Sequence, residues 1–250
     1  MAMPLDVRRR IFWRLLLLQA TWSFERMHGL GFAHAIEPWL ERLYPQRDQR
    51  VKALARHTEY FNTQPHMASL VLGVVCKLEE QGDKERIRRV KKALGASLAG
   101  LGDSFFWAAL RPAAAAAGLA AGLLALEAGR LSAGLWTAAV YLLVFNIPAL
   151  WLRWNGIALG YEWGEQLPAH LKAFAVRSWV SRLRFAGSLA AAALGVLVLA
   201  GVEPGQKLVC ALSLGVFLLL YFVLMDRVSA LRLYAATCLV GFLSAAAGWF

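Results

Sequence analysis

The stretch ASLAGLGDSFFWAALRP, Ala96 to Pro112, decides how the whole chain is read. It is apolar enough for the interior of a bilayer, yet it carries a carboxylate at Asp103 and a guanidinium at Arg111. Charges inside apolar helix are costly and usually mark a pairing or a function. Gly100 and Gly102 read as a tight turn, with Asp103 at the N-cap of the helix that follows. Asp103 and Arg111 stand eight residues apart. At about two helical turns, that spacing sets both on one face of a continuous helix.

The rest of the chain supports a bilayer setting. Its 250 residues are 59% hydrophobic and 17% charged, whereas a soluble domain is roughly half apolar and about a quarter charged. Ten Trp and 13 Phe add to that lean, because aromatic side chains favour the membrane–water boundary. Lys and Arg outnumber Asp and Glu by 27 to 16, a net charge of +11. Such an excess suits loops beside anionic lipid, and no basic groove with interleaved aromatics indicates a nucleic-acid partner. Cys76, Cys210 and Cys238 lie far apart in apolar surroundings. They read as small buried hydrophobes rather than as metal ligands or a disulfide framework. The N-terminal MAMPLDVRRRIFWRLLLLQATW lacks a small-residue cleavage site, and Arg14 interrupts its apolar run. It reads as an interfacial amphipathic arm that stays on the protein.

The predicted fold is an all-α membrane protein. An N-terminal amphipathic arm and re-entrant helices precede about five transmembrane helices, some of them broken. The expected regions are the arm at 1–30, a core with the first transmembrane hairpin at 31–170, and C-terminal transmembrane helices at 171–250. HAIEPWLERLYP and RDQRVKALARHTEYFNT place apolar residues at helical spacing. NTQPH breaks the second helix and starts MASLVLGVVCKLEE, whose apolar run is too short to span a bilayer and suits a re-entrant or buried segment. A basic amphipathic stretch, KERIRRVKKAL, follows. Spans are expected near 104–126, 133–152, 185–201, 208–225 and 231–250, with Pro112 tolerated inside the first. Arg153, Lys172, Arg177, Arg182 and Arg184 then form a basic loop after the second span, on the same side as KERIRRVKK.

Three polar islands interrupt the apolar pattern. Asp103 and Arg111 border Phe106 and Trp107, and a polar face edged with aromatics suits a neutral polar solute such as a sugar. Asn62, Gln64 and His66 surround the break at Pro65. They read either as a helix cap or as amides exposed at a broken membrane helix, where they bind a polar solute. Glu25, Arg26, His28 and His34 form the third island, with Glu25 read first as one half of an ion pair. The histidines lack the spacing of a zinc site. Asn146 before Pro148 marks a kink, and Trp151, Trp154, Tyr161 and Trp163 resemble an interfacial belt. No nucleophile–base pair, phosphate-binding loop or dinucleotide fingerprint occurs, so no catalytic, cofactor or metal role is assigned.

WSFERMHGLGFAHAIEPWLERLYP, RHTEYFNTQPHMASLVLGVVCKLEE, GASLAGLGDSFFWAALRP and FNIPALWLRWNGIALGYEWG, in that order, resemble the IID component of the mannose/fructose/sorbose-family sugar phosphotransferase system. The likeness runs from about Gln19 to Gly164, and MDRVSALRLYAATCLVGFLSAAAGWF resembles that family's last helix. After GYEWG the chain moves quickly through LPAHLKAFAVRSW, where the family usually carries a longer segment.

The resemblance implies a multi-pass subunit of the bacterial inner membrane. It would pair with a IIC subunit, in an oligomer of IIC–IID pairs, to form the path of a hexose-type sugar. Phosphoryl groups would come from soluble IIA and IIB carriers, with no phosphorylated residue on this chain. Asn62, Gln64, His66, Asp103 and Arg111 are the expected sugar contacts, and Glu25, Arg26 and Asn146 the expected gating or subunit contacts. A membrane sensor or docking subunit of a regulatory system that moves no sugar is the alternative. A channel or ion-coupled carrier is a third reading.

Overall fold

A computed structural model describes residues 3–130, 132–173, 178–188 and 190. The chain divides into two compact units, Met1–Ala191 and Ala192–Phe250, and all described residues belong to the first. The spans expected at 208–225 and 231–250, nearly all of that at 185–201, Arg177, and Cys210 and Cys238 lie outside the described residues.

Helix α1 (Leu5–Leu15) turns Val7, Ile11 and Leu15 inward at i, i+4 spacing. It docks on the body of the protein. Arg8 donates from Nε and Nη2 to the Trp154 carbonyl at 3.1 and 2.9 Å and stacks 4.2 Å above the Trp154 ring. Leu5, Trp13 and Leu17 remain exposed on the opposite side. Helices α2 (Gly29–Leu43) and α3 (Arg47–His57) follow, as the apolar spacing predicts. Helix α4 (Ala68–Glu79) is buried at every position except Lys77, which makes the short apolar run a core helix.

The largest departure from expectation lies around Asp103. Helix α5 (Lys84–Gly102), a π-helical stretch (Asp103–Leu110) and α6 (Arg111–Glu127) form one continuous 44-residue helix. Asp103 therefore caps nothing, and Gly100 and Gly102 make no turn. The N-cap is Asp83, whose carboxylate accepts from the Arg86 amide at 3.0 Å. Gly102 is needed for packing, since a Cβ there would meet the Gln64 side chain. The π winding has a local cause in Pro112, which lacks the N–H that the Ala108 carbonyl would take in an α-helix. Just upstream the ladder widens, and the Arg111 amide donates to the Phe106 carbonyl, an i→i+5 bond. Counting at 3.6 residues per turn therefore does not relate Asp103 to Arg111.

Helix α7 (Ala133–Trp163) runs unbroken through Pro148 and continues by a 3₁₀ turn (Gly164–Gln166) into α8 (Leu167–Ala173). At about 1.5 Å per residue, both long helices exceed the roughly 30 Å hydrocarbon core. Helices α4 and α7 cross backbone to backbone at Gly73 and Gly160, and Gly156 makes room for the Ser69 side chain. Ser69 Oγ joins them by donating to the Leu152 carbonyl at 3.1 Å. Helices α6 and α7 pair through Gly118 and Gly122, which face Thr137 and Tyr141. The outer side of this hairpin presents Leu119, Leu124, Leu135, Leu143 and Ile147, the surface of a protein solvated by lipid or by another apolar chain.

Candidate functional site

Two polar centres lie within this apolar body. The first joins the segment before α4 to the π stretch and α7. Gln64 Oε1 accepts from the amides of His66 at 2.7 Å and Met67 at 3.2 Å, and so closes the turn that leads into α4. No side chain caps the first turn of α4 itself, and Asn62 is exposed. Gln64 Nε2 and Thr63 Oγ1 are buried without a hydrogen-bond partner, which leaves two polar groups available to a further ligand.

Arg153 Nε donates to His66 Nδ1 at 3.0 Å. A guanidinium has no acceptor, so Nδ1 carries the lone pair and the ring is held neutral with its proton on Nε2. The His66 ring lies 4.5 Å from Phe106 and 5.8 Å from Phe145. Trp107 stacks on Phe145 at 6.1 Å and carries the Arg111 guanidinium 5.5 Å above its own ring. Of the expected sugar contacts, Gln64 is hydrogen-bonded to the His66 amide, and exposed Arg111 reaches His66 through the Trp107 and Phe145 rings. Asp103 and Asn62 are exposed at the edges. Arg153, expected as a loop charge, is instead a helical residue bound to His66.

The expected gating residues are scattered. Glu25 and Arg26 are exposed in the turn before α2, and Glu25 has no ion pair among the described residues. Phe61 N donates to the Arg26 carbonyl at 3.3 Å, and that bond ties the turn to the segment after α3. Asn146 Nδ2 donates to the Leu142 carbonyl of its own helix at 2.9 Å.

The second centre was not anticipated. The Glu79 carboxylate, fully buried at the end of α4, receives Arg56 Nη2 at 2.9 and 2.8 Å, His57 Nε2 at 2.9 Å and Tyr44 Oη at 2.8 Å. Burial alone would push that carboxyl up, but the hydrogen bonds from His57, Arg56 and Tyr44 hold it at about 2. Burial lowers His57 to about 4 despite its contact with Glu79, and the nearby Lys91 and Arg56 charges act in the same direction. His57 is therefore a neutral donor at pH 7, and Arg56 is the counter-charge of Glu79. KLEE at the end of an apolar run reads as a solvated terminus, so only the placement of α3 beside it exposes the pairing.

The pH consequence has a definite sign. His57 takes up a proton more readily in the unfolded chain, so its contribution is full above pH 6.5 and is lost as pH falls toward 4. Thermal melts of the purified chain at pH 7.5 and 5 should show a destabilisation on the order of 1–3 kcal/mol from this group. His57→Gln should shrink that pH dependence.

The fold and these centres define a class, the helical membrane proteins that keep polar groups packed among apolar helices. The chain belongs to the IID components of the mannose/fructose/sorbose family of the phosphotransferase system, whose sequence profile matches residues 5–204. The mannose-specific EIID component of Escherichia coli is 40% identical over 163 residues, 62% of this chain and 55% of that protein. The sorbose-specific EIID component of Klebsiella pneumoniae is 35% identical over 163 residues, 63% of this chain and 57% of that protein. The chain thus spans about half the length of the curated relatives it matches. A solved structure described as a membrane protein aligns with a TM-score of 0.74 at 28% identity, covering 98% of this chain and 97% of its own. A chain from the cryo-EM structure of the mannose transporter ManYZ with a microcin aligns at 0.56 and 27% identity, over 98% of this chain and 97% of its own.

Proposed function

We propose that this chain is the IID membrane subunit of a mannose-family permease, forming with a IIC subunit the path by which a sugar enters as IIB phosphorylates it. The observation that carries the reading is the polar layer beneath the π stretch, where buried Gln64 and His66 meet half-buried Arg153 and Gln64 Nε2 and Thr63 Oγ1 are unpartnered. Unpaired amide and hydroxyl groups suit the hydroxyls of a neutral sugar, and a π-helical segment beside them is a common mark of a functional position. Family membership and the likeness to a ManYZ chain support pairing with IIC. Asn62, Asp103 and Arg111 complete the proposed sugar contacts, while Glu25, Arg26 and Asn146 are the proposed gating or subunit contacts. The proposed setting is the bacterial inner membrane, crossed several times, with IIC–IID pairs assembled into an oligomer.

The test is sugar uptake in cells lacking their own mannose-family permease, with this chain co-expressed with a IIC subunit and a phosphorylatable IIB. Uptake should require all three proteins. A stable IIC–IID complex that takes up nothing would replace the transport reading with the regulatory one.

A further inference from the structure

The basic run KERIRRVKK plays no part in the sugar path, yet it builds one wall of a separate cavity. The cavity holds about 240 Å³ and lies between the C-terminal end of α3 and the charged half of α5. Arg56, Arg88, Lys91 and Lys92 stand on its walls against the single carboxylate of Glu59, and His57 completes the inner side. Arg88 is held at the rim by Glu59 at 2.8 Å and by Glu85 at 2.8 Å. Arg56 engages Glu79 through Nη2 alone, and its Nε is buried without a partner.

Lys91 is the group that most needs a ligand: burial lowers its ammonium to about 7, and an anion beside it would keep it charged. Its side chain is buried, and its ammonium lies 4.3 Å above the Phe32 ring and 5.3 Å above that of Phe61. It donates to the His57 carbonyl at 3.1 Å and pairs with no carboxylate among the described residues. An ammonium has three donors, and a buried cation without a counter-ion is strongly unfavourable. Lys92, at the mouth, is exposed and forms no hydrogen bond or ion pair among the described residues. The run stands directly before the apolar part of its helix, and basic residues beside a membrane helix attract anionic lipid headgroups.

We propose that this cavity is a phosphate-binding site, taking the phosphate group either of an anionic lipid or of a soluble phosphate. The anion enters past Lys92 and is held by Lys91, with the Arg56 and Arg88 charges on the walls beside it. It supplies the counter-charge that Lys91 lacks, and it fixes α3 against α5. Glu59 stays on Arg88 and bounds the site rather than filling it.

The experiment is thermal unfolding of the full chain in neutral detergent, with inorganic phosphate added at constant ionic strength against chloride. A parallel arm compares phosphatidylcholine nanodiscs with and without phosphatidylglycerol. The unfolding midpoint should rise by several degrees with the phosphate group. A rise in both arms means that the phosphate alone is recognised, and a rise in the nanodisc arm alone assigns the site to lipid. Lys92→Gln, at an exposed position, should remove at least half of the rise, and Lys91→Met nearly all of it if that variant folds. Arg9→Gln, on the exposed side of α1, should leave it unchanged. No rise in either arm overturns the proposal. So does a rise that survives Lys92→Gln, or one that Arg9→Gln reduces equally.

Discussion

Glu79→Ala is expected to destabilise the fold by about 3–5 kcal/mol, the usual effect of removing one partner from a buried ion pair. Four contacts from Arg56, His57 and Tyr44 end on this carboxylate, and its own side chain is fully buried. Without it the Arg56 charge remains in a site that is 10% exposed, and Tyr44 and His57 lose their acceptor. These donors come from the end of α2 and from α3, so the loss detaches both helices from the end of α4. Membrane abundance and the thermal midpoint of the purified chain should both fall sharply. Glu79→Gln should fall between the variant and the parent, because the amide still accepts but cannot neutralise Arg56. An unchanged midpoint in Glu79→Ala would mean that the cluster does not hold α3 to α4.

The second large effect belongs to the glycine crossing of α4 and α7. A Cβ on Gly160 would run into the Leu70 carbonyl, and one on Gly73 into the Ile157 carbonyl. Overpacking a core usually destabilises by about 1–3 kcal/mol because side chains give way. Here the obstacle is backbone, so the helices must separate, and the bond from Ser69 to Leu152 is lost with them. Gly160→Leu should therefore leave little folded protein in the membrane. Gly100 is the control: nothing lies within 4 Å of its would-be Cβ. Gly100→Ala should be neutral or up to about 1 kcal/mol stabilising, as expected for glycine inside a helix. Equal tolerance of both substitutions would contradict the close crossing.

The sequence made the broad architecture legible where a pattern had only one physical solution. An apolar run of α4's length is too short for a span and had to be buried, as it is. The periodicity of α2 and α3 likewise survived folding. What could not be read depended on partners distant in sequence. Gly-Leu-Gly-Asp spells a turn and a cap locally, but Gly102 is there to admit Gln64, and the helix continues. Arg153 counts as a loop cation until His66 is placed beside it. Within the proposed site, the residue types at Gln64, His66 and Arg111 were legible because polar groups in apolar sequence are conspicuous. Lys91 and Glu79 sit in or next to charged runs and look solvated until α3 is docked between them.

The central claim is that the polar layer below the π stretch serves sugar passage and not merely folding. Asp103 offers the cleanest test, since it is exposed, caps no helix N-terminus, and its carboxylate makes no hydrogen bond or ion pair among the described residues. The measurement is phosphorylation-coupled sugar uptake by Asp103→Ala, with IIC and IIB present and uptake normalised to the amount of this chain in the membrane. The proposed route predicts that uptake per molecule falls by about tenfold, the equivalent of roughly 1.4 kcal/mol, while abundance stays at the parent level. Uptake that falls only in proportion to abundance, or does not fall at all, would remove Asp103 from the sugar path and contradict the proposed route.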